Sequence, residues 1–139
     1  MNAEVSLGKL LRNIDPQLEG EVYAFVALPE ARLRSLCAGC LCIFREREGP
    51  SAILPRALAK REGLLQDDAA SGYCQITLQI HSSLEAVGLT AVVSRELAAE
   101  GISANVVAAL HHDHVFVPER DAQRALQILR GICNRAQYS

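Results

Sequence analysis

Tryptophan is absent from the sequence, and aromatic residues fill only 4% of its 139 positions. A core built from this chain is therefore aliphatic, made of Leu, Ile, Val and Ala. An excess of charge is also missing. The net charge is −2, which offers no basic face to neutralise phosphates, so no nucleic-acid partner is expected. No apolar run reaches the roughly 18–20 residues that span a bilayer, so no membrane partner is expected either. The first sixteen residues carry no basic region, continuous apolar stretch or small-residue cleavage site. They do not read as a signal peptide, and a cytoplasmic protein is expected. The common catalytic signatures are lacking too. There is no P-loop, G-x-G-x-x-G or H-E-x-x-H, and Ser82-Ser83 beside His81 lacks the G-x-S-x-G of a nucleophile elbow. The expectation is a protein without catalytic residues, bound metal or cofactor.

What is present is the balance of a folded globular chain, 50% hydrophobic and 22% charged, long enough for one domain or two small ones sharing a core. Leu7, Leu10, Leu11 and Ile14 recur at i, i+3, i+4, i+7 and predict a short amphipathic helix, with Ser6 able to cap it. Pro16 ends that helix by pushing Asp15 out of the helical region. A turn is expected at Glu19-Gly20, then a buried strand over 22–28 stopped by Pro29. A second strand over 41–44 leads into the charged turn of Arg45, Glu46, Arg47, Glu48, Gly49 and Pro50. A short third strand over 52–54 and a helix between Pro55 and Gly63 follow.

The segment 64–72, with Asp67, Asp68, Ser71 and Gly72, marks an internal boundary, giving units 1–70 and 71–139. Beyond it Cys74, Ile76, Leu78 and Ile80 alternate with Gln75, Thr77, Gln79 and His81, the pattern of a half-buried strand. A turn over 82–88 leads to a helix over 90–100, with Val93, Leu97 and Ala98 inward and Gly101 at its end. Strands over 102–110 and 115–117 flank a tight turn at His111, His112 and Asp113. A last helix over 121–133 lines up Ala122, Ala125, Leu126, Leu129 and Ile132. The second half thus reads strand–helix–strand–strand–helix, and the first half is a degenerate version. The fold class is α+β: two ferredoxin-like βαββαβ units, the first degenerate, behind an N-terminal helix. The second unit lacks a last strand. Either a strand from the first half completes its sheet, or the two units interleave.

Two clusters invite a chemical reading. Cys37, Cys40 and Cys42 include one C-x-x-C, whereas structural zinc wants four ligands, usually as two spaced pairs. With five Cys in the chain, buried free thiols are the simpler expectation, with metal binding or a redox switch as the alternative. His112 and His114 fall on one side of the strand turn, but two imidazoles make a weak metal site, and a solvated turn is the simpler expectation.

The stretch from Leu84 through Gly88, Leu89 and Thr90 to Gly101, Ile102 and Asn105 resembles the first half of an ACT domain. Asp113-His114-Val115-Phe116-Val117, followed by Ala125-Leu126, resembles the end of ACT units of the aspartate-kinase type. Leu18 to Phe25 with Ile53-Leu54-Pro55 is similar to small bacterial stand-alone tandem ACT proteins. The resemblance implies an ACT-type fold in both halves and a non-catalytic, regulatory module that senses a small molecule, an amino acid or related metabolite. It places the ligand at a paired-domain interface around Val87, Gly88, Leu89, Thr90 and Asn105. The N–H groups that open the helix after Gly88 suit a carboxylate. The other reading is a ligand-free structural or protein-interaction module. A homodimer is expected, because the apolar run Val106, Val107, Ala108, Ala109 and Leu110 looks covered on both faces.

Overall fold

The computed structural model describes residues 6–66, 72–80 and 87–138. The calls on Asp67, Asp68 and Ser71, and on His81, Ser82, Ser83 and Leu84, lie outside the described residues. The chain forms two compact units, Glu21–Tyr73 and the combination of Met1–Gly20 with Cys74–Ser139. The start of the chain thus groups with its end, and not with residues 21–70 as the expected division at 70/71 had it.

In the unit of Met1–Gly20 and Cys74–Ser139, helix α1 (Leu7–Arg12) comes first. Leu10 and Ile14, from the expected apolar stripe, are fully buried. The Ser6 side chain makes no cap hydrogen bond. Strand β1 (Pro16–Ala27) follows. It runs straight through Glu19-Gly20, where a turn was expected. Gly20 has open space around it and lies within the strand. Then come β4 (Tyr73–Leu78), α4 (Leu89–Ala99), β5 (Asn105–Ala108), β6 (Asp113–Pro118) and α5 (Ala122–Ala136). The strand order here is β1, β4, β6, β5, so the start of β1 occupies the place of the missing last strand.

Helices α1, α4 and α5 pack on one another. Their buried residues, among them Val93, Leu97, Ala125, Leu129 and Ile132, join Ile76, Leu78, Val115 and Val117 in an aliphatic core. Gly101, at φ +72°, ends α4. Its left-handed backbone lets Ile102 donate to the Leu97 carbonyl at 3.0 Å, a bond that closes the helix end and tucks Ile102 into the core. Cys133 on α5 and Gln137 just past its end both donate to the Arg12 carbonyl, at 2.9 and 2.8 Å. That group would otherwise be an orphan acceptor at the end of α1.

The unit Glu21–Tyr73 holds the rest of β1, a run of short helical turns over 30–39 that includes α2 (Leu33–Leu36), and then β2 (Cys42–Glu46), β3 (Gly49–Pro55) and α3 (Arg56–Arg61). Its strand order is β2, β3, β1, both pairs antiparallel. The charged turn is a hairpin, with Glu46 opposite Gly49. Ala24, Val26, Ala52 and Leu54 face Leu36 and Ala59 in a core of their own. The helical turns over 30–39 are too short to leave a periodic signal in the sequence.

Candidate functional site

Gly88 heads α4 at φ +104°, a left-handed conformation that only glycine takes without strain. The first N–H groups of a helix have no intrahelical acceptor, and α4 carries no side-chain cap. Val87 and Thr90 are exposed, whereas Leu89 is buried in the core. The space on the Cβ side of Gly88 is taken: a Cβ there would stand 3.1 Å from a methyl of Leu7. Helix α1 therefore covers one side of Gly88.

Asn105 is exposed at the start of β5 and lies opposite Phe116. Between it and Gly88 stand the 11 residues of α4, a rise of about 16 Å. Gly88, Leu89 and Thr90 therefore gather at one end of this helix, and Asn105 follows its other end. The β5 run, read as covered on both faces, is half-exposed: β5 is the last strand in its order, and Leu110 is 66% exposed.

A polar cluster joins β4 and β6. Gln75 and Thr77 were expected on a solvated face, yet they are 6% and 5% exposed. Their partner is His114, whose Nδ1 lies 2.9 Å from Gln75 Nε2 and 3.1 Å from Thr77 Oγ1. An amide nitrogen only donates, so Nδ1 accepts and the neutral ring carries its proton on Nε2. Burial lowers the His114 pKa; nearby His112 lowers it further, while Asp113 and Glu19 oppose the shift. Burial also raises the Asp113 carboxyl, against the pull of His114 and His112. Alternation in β4 is clear from sequence, but the partner that covers its polar face sits 37–39 residues away, with no local signal.

A cavity of about 320 Å³ lies at the other end of α1, lined by Arg12, Asn13, Asp15, Pro16, Arg130, Cys133 and Asn134. Asp15 takes φ +38° there. Among the described residues no group of three or more His, Cys, Asp or Glu could hold a metal ion. No helix among them is long and apolar enough to cross a membrane.

An ACT-domain family model matches residues 2–71 and another matches residues 70–131. The chain belongs to the ACT-domain family. As a tandem ACT protein it shares the fold of several solved structures. A Vibrio cholerae protein of unknown function, described as a possible transport protein, is 39% identical over 91% of this chain and 95% of that one, with a TM-score of 0.78. A protein from Agrobacterium tumefaciens is 18% identical, covering 85% and 87% of the two chains at a TM-score of 0.62. The ligand-free regulatory subunit of aspartate kinase from Thermus thermophilus is 10% identical, covering 86% and 97% at a TM-score of 0.65. None of the curated proteins matches the chain.

Proposed function

We propose that this tandem ACT protein is a non-catalytic regulatory module of the cytoplasm that binds an amino acid or a related small metabolite. The observation that carries the reading is the left-handed Gly88 at the head of an uncapped α4, inside a matched ACT segment. The Leu89 and Thr90 amides at that helix start would receive a ligand carboxylate, with Val87 beside them. Asn105, beyond the far end of α4, would serve a ligand held between copies of the chain. The exposed edge of β5, with Val106 and Val107 only half-buried, supports a homodimer, since an open apolar edge favours pairing.

The test is a thermal-shift screen with the common amino acids. A Tm rise that saturates with one of them is the expected result, because a ligand that binds only the folded chain stabilises it in proportion to RT ln(1+[L]/Kd). Unchanged Tm across the set would favour the ligand-free interaction module.

A further inference from the structure

The Cys37-x-x-Cys40 pair belongs to the unit Glu21–Tyr73, whereas Gly88 belongs to the other unit. The chain leaves α2 through a single tight turn over Cys37–Gly39. The Cys40 N–H donates to the Cys37 carbonyl at 3.1 Å and closes that turn. A bond from i+3 back to i holds the two Cα atoms within about 7 Å, and in such a turn the side chains at i and i+3 share one side. That range overlaps the Cα separation of about 4.4–6.8 Å that a disulfide requires.

The turn is also firmly seated. A Cβ at Gly39 would lie 2.7 Å from a methyl of Leu58 on α3, so backbone and helix are in close contact. The two thiols differ in setting. Cys37 is exposed, and Cys40 is half-buried against the core around Leu36 and Leu54. Each sulfur donates only to a nearby carbonyl: Cys37 to Arg34 at 3.5 Å and Cys40 to Leu36 at 3.4 Å. Neither contact fixes its thiol strongly. Burial raises the Cys40 pKa, and the neighbouring Cys37 raises it further. Cys42, the third thiol of the cluster, lies in β2 opposite Ile53 and outside the turn.

We propose that Cys37 and Cys40 form a reversible intramolecular disulfide, with hydrogen peroxide as the oxidant. The exposed Cys37 thiolate attacks the peroxide oxygen. The O–O bond breaks, hydroxide leaves, and Cys37 becomes a sulfenic acid. The Cys40 sulfur then attacks the Cys37 sulfur. The S–O bond breaks, the hydroxyl departs with the Cys40 proton as water, and the S–S bond forms. In sum, two thiols are oxidised to one disulfide, and one peroxide is reduced to two waters. A dithiol reductant reverses the step by exchange.

The experiment uses the full reduced chain, treated with hydrogen peroxide, capped with N-ethylmaleimide, and mapped by peptide mass spectrometry. The expected result is that two of the five thiols escape capping, with two hydrogens lost from the peptide that carries Cys37, Cys40 and Cys42. Fragmentation should place the bond between Cys37 and Cys40 and the maleimide on Cys42. Dithiothreitol should restore all five. Cys42→Ser should keep the bond, while Cys37→Ser and Cys40→Ser should each abolish it. Because the wild-type map alone locates the bond, a variant that folds poorly does not obscure the answer. Sulfinic acid on Cys37 with Cys40 still capped, a bond that includes Cys42, or a disulfide between chains would each overturn the proposal.

Discussion

Gly88 and Leu7 illustrate how one residue's backbone depends on another's side chain. Gly88→Ala meets two separate costs: a left-handed φ of +104° and a methyl of Leu7 at 3.1 Å. We expect it to destabilise the chain by about 1–3 kcal/mol. Adding Leu7→Ala should recover the steric part and leave the backbone part, so the double mutant should lose less than the sum of the singles. Urea unfolding of the four proteins checks this. His114 makes a second expectation. Its pKa in the fold lies below the ordinary 6.5, so between those two values the unfolded chain binds more protons than the folded one. Stability should therefore fall as pH drops below about 6.5. Asp113 has its pKa raised above 3.8. It acts in the opposite sense and at lower pH, losing its contribution as pH rises from 3.8. Unfolding midpoints at pH 7.5, 6.5 and 5.5 should fall in that order for the wild type and flatten in His114→Gln. A wild-type curve already flat over this range would contradict the reading. Helical and strand periodicity exposed the residues of the core in the sequence, but not this cluster, because burial of Gln75 and Thr77 depends on a partner on another strand.

Periodic elements were legible where one face alone meets the core. Leu10 and Ile14 in the first helix, and the stripe from Ala122 to Ile132 in the last, are buried as their spacing requires. Leu10→Ala should cost about 2–5 kcal/mol, as for a core leucine, because α1 is an integral part of its unit. Denaturant unfolding checks this, and a loss under 1 kcal/mol would show α1 to be peripheral. Glycine was the less reliable signal. Gly63, Gly88 and Gly101 do mark helix boundaries with positive φ, yet Gly20 lies inside a 12-residue strand. Sequence cannot tell a glycine that turns from one that merely passes through an extended segment. A Cβ at Gly20 meets nothing within 4 Å, so Gly20→Thr should hold or raise stability, by up to about 1 kcal/mol. A turn at that position would make the same substitution destabilising, and thermal unfolding separates the two cases.

At the scale of the whole molecule, the missing last strand was legible as a gap, and sequence left open how it was filled. The answer lies in β1, whose first residues join the unit of the chain's end while the remainder belongs to the other unit. The length of α4 separates the two groups of proposed ligand contacts, and β5 lies last in the strand order. The homodimer reading calls for a mass of twice the chain by light scattering at micromolar concentration, and a monomer mass that holds as concentration rises would contradict it. Sensing of a small metabolite through the head of α4 is the proposal on which the rest depends. It is tested most directly by calorimetric titration of the wild type and Thr90→Pro with the amino acid that gives the largest thermal shift. Proline removes the Thr90 N–H in the first turn, where it breaks no intrahelical bond. The expected result is saturable binding to the wild type and at least about tenfold weaker binding to the variant, the loss of roughly 1.4 kcal/mol that follows when a hydrogen bond to a charged group is removed. Equal affinity in a folded variant, or no heat from any amino acid with the wild type, would contradict it.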